Sequence, residues 1–274
     1  MDLQLKDKVV LITGGSRGIG FALAQGFAAE GARVAICARD PTRLEQAAAE
    51  IRATGGECFA VRADLFNADD CRNAVEQTVA AFGRLDVLVN NASTNVDKVP
   101  KSLEDATDEQ VTERFQGKTM AAIRCTRAAL THLRSSGAGR VVCIGGMAAR
   151  TVQRGAERPS AASGLAQGLG NSALASFVKY LAEETARDGI VANIVHPGMT
   201  RTDRHANRVE RRAREQGISH AAVEAEIAGH VPIGRIVEPG DIVPMVLLLS
   251  SKLAGGITGQ AIAIDGGAAR GIQY

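Results

Sequence analysis

Residues 13–20, Thr13-Gly14-Gly15-Ser16-Arg17-Gly18-Ile19-Gly20, constrain the fold more than any other stretch of this chain. They follow an apolar, β-branched run, Val9–Thr13, and open an Ala-rich amphipathic stretch at Phe21–Glu30. In such a strand–loop–helix unit Gly14 permits the tight turn, Gly18 lets backbone approach a pyrophosphate, and Gly20 allows close helix–strand packing. Phosphates would meet free amides and the positive end of the helix. Gly14, Ser16, Arg17, Gly18, Ile19 and Gly20 are therefore candidate nucleotide contacts. A glycine turn without ligand is the plainer alternative, and the context at the end of a first strand weighs against it.

The same alternation continues along the chain. Strands are predicted at Val9–Thr13, Arg33–Cys37, Cys58–Arg62, Val87–Asn90, Arg140–Ile144, Val191–Val195 and Ala261–Ile264. Several are apolar almost throughout, as parallel strands covered on both faces should be. Helices are predicted at Phe21–Glu30, Thr42–Ala53, Asp69–Phe82, Asp108–Leu133 and Ser172–Asp188, with Gly31, Gly55, Gly83 and Gly189 as stop signals. The pattern implies a single α/β domain over residues 1–274, built on a doubly wound parallel sheet of the Rossmann type. Two stretches break the rhythm. Ala148–Gly170 is long for a connection, and Met199–Ile233, dense in charge, reads as a helical lid above the C-terminal edge of the sheet.

Composition narrows the function. The formal net charge of +2 and an aromatic content of 3%, with no Trp, argue against nucleic acid and anionic membrane as partners. Five widely spaced cysteines without a CxxC pair suggest neither a disulfide framework nor a zinc site, and the five histidines lack ligand spacing, so no metal is expected. No apolar run approaches the ~20 residues of a membrane span, and the charged start, Met1-Asp2-Leu3-Gln4-Leu5-Lys6-Asp7, is unlike a signal peptide. A reduced, cytoplasmic setting and a small-molecule substrate are expected.

The glycine signature, TGxxxGIG, resembles that of the short-chain dehydrogenase/reductase family, and other segments match that family in order and spacing. Asp64-Leu65 corresponds to the acidic residue and its neighbour after the third strand, which in the family contact adenine. Asn90-Asn91-Ala92-Ser93 corresponds to the family's NNAG, with Ser93 for the last glycine. Asn193 and His196-Pro197-Gly198, with Thr200 and Thr202 beyond, correspond to the nicotinamide-side PG motif, and Gly259-Gln260 with Asp265-Gly266-Gly267 to the C-terminal signature. The resemblance implies cofactor contacts from Asn91, Ala92, Pro197, Gly198, Thr200 and Thr202. It also implies a homodimer or homotetramer.

The choice of cofactor is open to a physical argument. An acid at the end of the second strand would bind the ribose hydroxyls of NAD and repel a 2′-phosphate. Here Ala38 stands in that slot with Arg39 after it, and Arg17 is a second cation in reach. Paired guanidinium groups suit a phosphomonoester, so NADP(H) is expected; two solvated arginines are the plainer alternative.

Active members of the family use Asn, Ser, Tyr and Lys. Counting back from Pro197 through Asn193 puts the Lys slot at Asn171 and the Tyr slot at Gln167. The strand ending Val141-Val142-Cys143-Ile144 puts Gly145-Gly146 at the Ser slot, and Thr126–Leu130 sets a register that puts Lys118 at the Asn slot. All four depart from the family's pattern, and the only tyrosines are Tyr180, read as a packing residue, and Tyr274. Lysine and asparagine have in effect changed places, so Lys118 and Asn171 are expected to anchor the nicotinamide ribose together. Lys118, desolvated there, would be the acid or base; an exposed helix lysine is the alternative. Ser160, Ser163 and Tyr274 are further candidate hydroxyl donors.

Arg201, Arg204, Arg208, Arg211, Arg212 and Arg214 crowd the lid segment, alongside Glu210 and Glu215 at helical spacing. A solvated, salt-bridged helix competes with an anion-binding surface. The leading expectation is an NADP-dependent oxidoreductase acting on a carbonyl, alcohol or activated double bond through a non-standard proton donor. The alternative is a nucleotide-binding pseudoenzyme, a sensor or a scaffold.

Overall fold

Strand β1 (Val9–Thr13) is buried along its whole length, and its side chains alternate between two cores. Val9 and Leu11 join one core; Val10 and Ile12 join the other. Burial on both faces explains why the strand reads as an unbroken apolar run. The same holds for β4 (Val87–Asn90) and β5 (Arg140–Ile144), while β2 (Arg33–Ala38), β3 (Glu57–Arg62), β6 (Val191–Pro197) and β7 (Ala261–Ile264) complete the sheet. The computed structural model describes residues 1–94, 100, 102–152 and 164–269. Among these, seven strands pair in the order β3-β2-β1-β4-β5-β6-β7, all parallel.

Helices cover both faces. Leu23 and Phe27 of α1 (Gly18–Ala29), Leu44 and Ile51 of α2 (Pro41–Ala53), and Val246 and Leu249 of α9 (Pro239–Ser250) pack on one side. Cys71 and Val75 of α3 (Ala68–Phe82), Ala129 and Leu133 of α5 (Ala121–Ser135), and Leu174 and Val178 of α6 (Leu165–Thr185) pack on the other. Caps set several boundaries. Asp40 accepts from the Arg43 amide at the start of α2, Asn67 accepts from Asp69 and Asp70, and Gly83 closes α3 with φ +79°.

The predicted strands are all present. The helix expected over Asp108–Leu133 is broken, however: α4 (Asp108–Arg114) passes into a π-helical turn, Phe115–Met120, before α5 begins. Such turns widen a helix locally and often serve functional sites. Gly117 is needed inside this one, because a Cβ there would run into Thr94 and Phe66. Helix α6 starts at Leu165, earlier than predicted, so Gln167 and Asn171 stand one turn apart on one helix. The lid stretch forms two helices, α7 (Asp203–Gln216) and α8 (His220–Gly229), around a small core of Val209, Ala213, Val223, Ile227 and Ile236.

Candidate active site

Strand order reverses between β2-β1 and β4-β5, and parallel sheets leave a crevice beyond the C-terminal strand ends at such a point. A cleft of about 670 Å³ lies here. Its floor is the glycine turn. Gly14 has φ +67° and Gly18 φ +55°, conformations that a side chain would strain. At Gly20 a Cβ would strike the Gly14 carbonyl and Asn91 Nδ2. With Ser16, Arg17 and Ile19 these glycines line the cleft at the start of α1.

Asn91 and Ala92 also border it, and their N–H donors are committed. Asn91 Nδ2 donates to the carbonyls of Thr13, at 2.9 Å, and Gly14, at 3.1 Å. The amides of Asn91 and Ala92 donate to Thr13 Oγ1 at 2.9 and 3.1 Å. The pair clamps the glycine turn onto β4. Asp64 and Leu65 line the cleft beyond β3, where Asp64 Oδ1 accepts from the Phe66 amide at 3.2 Å. Arg17 and Arg39 stand exposed at the same end. Arg17 is bridged to Asp40 at 3.2 Å, a neighbour that the reading of Arg17 and Arg39 as a cation pair had not included.

The opposite wall follows β6. Pro197, Gly198, Thr200 and Thr202 line it. Gly198 passes so close to Asp265 that a Cβ would lie 2.7 Å from its Cα, and the Thr200 hydroxyl donates to the Gly198 carbonyl at 3.0 Å. Thr202 overlies the turn at Gly18.

Lys118, Gly146, Gln167 and Asn171 all face the inner end of the cleft. Lys118 is buried, which sets aside the exposed-lysine alternative, and its Nζ donates to the Gly145 carbonyl at 3.0 Å. Thr119 Oγ1 donates to the Gly170 carbonyl at 2.7 Å, tying the π turn to α6 beside Asn171. Asn171 is buried, and among the described residues its Oδ1 accepts no hydrogen bond. Gly145 has no room for a side chain, since a Cβ would lie 2.5 Å from His196 Nδ1; at Gly146 it would lie 3.1 Å from Asn171 Nδ2.

Burial pushes the Lys118 ammonium down to about 7, helped by the charges of Arg114 and Arg204. The adjacent Cys143 thiol supplies no counter-charge near neutrality, because burial pushes it up to about 12. Arg114 escaped the sequence reading although it stands four residues before Lys118 at helical spacing. It donates to Ser93 Oγ at 3.0 Å and to the Thr94 carbonyl, and lines the cleft. Tyr180, expected to be a packing residue, is 79% exposed on α6 because it points away from the sheet. Ser160, Ser163 and Tyr274 lie outside the described residues.

His196 supports the floor below Gly146, with its Nδ1 3.1 Å from the Gly146 amide and 3.0 Å from the Gly146 carbonyl. Burial and the Arg150 charge hold its pKa down at about 4. Unfolded, the ring takes up a proton below the usual 6.5, whereas the folded protein resists until about 4. Stability is therefore expected to fall as pH drops through that window, by on the order of 3 kcal/mol, and to level off below it. Urea unfolding across the window checks this, and in His196→Asn that component of the slope should vanish.

Residues 14–269 match the family model described as enoyl-(acyl carrier protein) reductase. The short-chain reductase protein NovJ of Streptomyces niveus is 32% identical over 262 residues, covering 96% of this chain and 94% of that protein. The chain belongs to the short-chain dehydrogenase/reductase family. A 3-oxoacyl-[acyl-carrier-protein] reductase of Synechocystis is 32% identical to this short-chain dehydrogenase/reductase over 271 residues, 96% of this chain and 97% of that protein. The L-sorbose reductase of Gluconobacter frateurii, in a crystal structure with NADPH and L-sorbose, superposes with a TM-score of 0.89 at 29% identity, covering 99% of this chain and all (100%) of that one. Among the described residues, no helix of this short-chain dehydrogenase/reductase is long and apolar enough to cross a membrane.

Proposed function

We propose that the protein is an NADP(H)-dependent oxidoreductase that interconverts a carbonyl and an alcohol, or reduces an activated double bond, with Lys118 as its proton donor. The observation that carries this reading is a buried lysine at the inner end of the cleft that the glycine turn opens. The L-sorbose reductase structure with NADPH supports the cofactor.

The cleft suits a dinucleotide. Gly14, Gly18 and Gly20 leave a cradle that side chains would fill, at a helix start where backbone amides favour a pyrophosphate. Ser16, Ile19, Pro197, Gly198, Thr200 and Thr202 would flank it, and Asp64 with Leu65 would take the adenine. Arg39, with Arg17, would hold a 2′-phosphate. The unpartnered Asn171 Oδ1 is an acceptor that suits a ribose hydroxyl. The bound cofactor supplies the hydride.

Lys118 takes the part of the family's tyrosine under this reading. With a pKa near neutrality its ammonium can give up a proton to a developing alkoxide and regain one from solvent. The Gly145 carbonyl holds the Nζ in place. Asn171 and Gln167 stand where the family's lysine and tyrosine would be, and Gly146 where its serine would be. The proton therefore comes from the helix preceding β5.

Calorimetric titration with NADPH and NADH tests the cofactor. NADPH is expected to bind at least about tenfold more tightly, a difference of about 1.4 kcal/mol, and Arg39→Asp should erase that preference. Saturable binding of neither cofactor by folded protein would refute the reading. Tight NADPH binding with no reduction of any carbonyl tested would favour a sensor or scaffold instead.

A further inference from the structure

The lid divides its arginines into two groups. Four of the six are ion-paired: Arg201 with Glu224 and with Glu238 beyond the lid, Arg211 with Glu215, Arg212 with Glu226, and Arg214 with Glu210. The salt-bridged reading of this helix holds for them. Arg204 instead lines the cleft as an exposed side chain on α7. Arg204 has no carboxylate partner among the described residues.

Across from it, Arg114 and Lys118 line the same space. Among the described residues, the acids that line the cleft are Asp40 and Asp64, beyond β2 and β3, and Asp203 beside Arg204. Arg204 therefore shares the cleft with the buried Lys118, and among the described residues the acid beside it is Asp203. The charges act on one another: Arg204 is among the groups that hold Lys118 down. Like charges held together in a partly desolvated cleft repel, and a bound anion relieves that repulsion.

We propose that the substrate carries an oxyanion, a carboxylate or a phosphate, which Arg204 binds across the cleft from Lys118. The carbonyl to be reduced then lies between this anchor and the lysine. A long cationic arm on a lid helix selects charged substrates, whereas the apolar lid core of Val209 and Ile227 gives no contact to them. This inference rests on the oxidoreductase reading above.

The test is calorimetric titration with two matched pairs, acetoacetate against methyl acetoacetate and dihydroxyacetone phosphate against dihydroxyacetone. It is run on protein saturated with NADPH and on ligand-free protein. At least one anion is expected to bind about tenfold or more tightly than its neutral counterpart. Arg204→Gln should abolish that preference and leave NADPH affinity unchanged. The two pairs separate carboxylate from phosphate. No preference for either anion overturns the proposal. So does an Arg204→Gln variant that loses NADPH affinity while keeping the anion preference, because the arginine would then serve the cofactor's pyrophosphate. Failure to bind NADPH at all counts against the oxidoreductase reading alone, since the ligand-free titration still reports on anion selectivity.

Discussion

Lys118→Met is expected to lower NADPH-dependent reduction by about 10²–10⁴-fold, the usual worth of a positioned general acid. Turnover equal to wild type would remove Lys118 from the reaction. Methionine keeps the length of the side chain and much of its packing but cannot donate a proton. In the wild type, kcat/KM for reduction should fall as pH rises through about 7, because the active form of an acid is its protonated form. The same substitution has a stability signature of opposite sense. Free lysine titrates near 10.5 and the folded side chain near 7, so between those values the unfolded chain binds more protons. Wild-type stability should therefore rise across that window by on the order of a few kcal/mol as the cost of burying a charge disappears. In Lys118→Met the rise should be absent, and the variant should be more stable than wild type near pH 7 despite its lost activity. Denaturant unfolding at about pH 7 and about pH 9 distinguishes these outcomes.

Gly20→Ala is expected to reduce NADPH affinity by about 100-fold or more, and to destabilise the fold by about 1–3 kcal/mol, as overpacking at a rigid site does. The added methyl meets the Gly14 carbonyl and Asn91 Nδ2, and neither can yield cheaply. The Asn91 amide is held by two carbonyls, and Gly14 has a left-handed φ of +67°. Relief requires the turn to open, which moves the amides proposed to face the pyrophosphate. Gly229→Ala is the control, because a Cβ there meets nothing within 4 Å at an exposed helical position. It should leave NADPH affinity unchanged and stabilise the fold by up to about 1 kcal/mol, as Gly→Ala in a helix does. Fluorescence titration with NADPH together with thermal unfolding reports both effects, and unchanged affinity in Gly20→Ala would argue against the cradle.

Some of the candidate site was legible because its signals are short in sequence. The glycine turn, Asp64-Leu65 and Pro197-Gly198 each follow a strand, and β-α succession fixes which strand ends gather at one edge of a parallel sheet. The partners of Asn91 were not legible, since its amide closes on Thr13 and Gly14 more than 75 residues away. The π turn was equally hidden. Asp108–Leu133 reads as one helix by pattern, and the bulge depends on Gly117 finding space against Thr94 and Phe66. The early start of α6 was missed because Ala148–Gly170, rich in Gly and Ser, looks like loop by composition alone.

By itself the sequence determined the sheet and the glycine turn, because burial on both faces of a strand and the need for a left-handed φ act within a few residues. Only the tertiary structure decided what each charge does. Arg201 and Arg204 stand three residues apart on the chain, yet one is closed by Glu224 and Glu238 and the other is left facing the cleft. The sequence singled out Lys118 but left open whether it is buried, and the fold decided that it is. Desolvation and Coulomb interactions depend on distance through space, and the groups that set them here come from segments far apart in the chain.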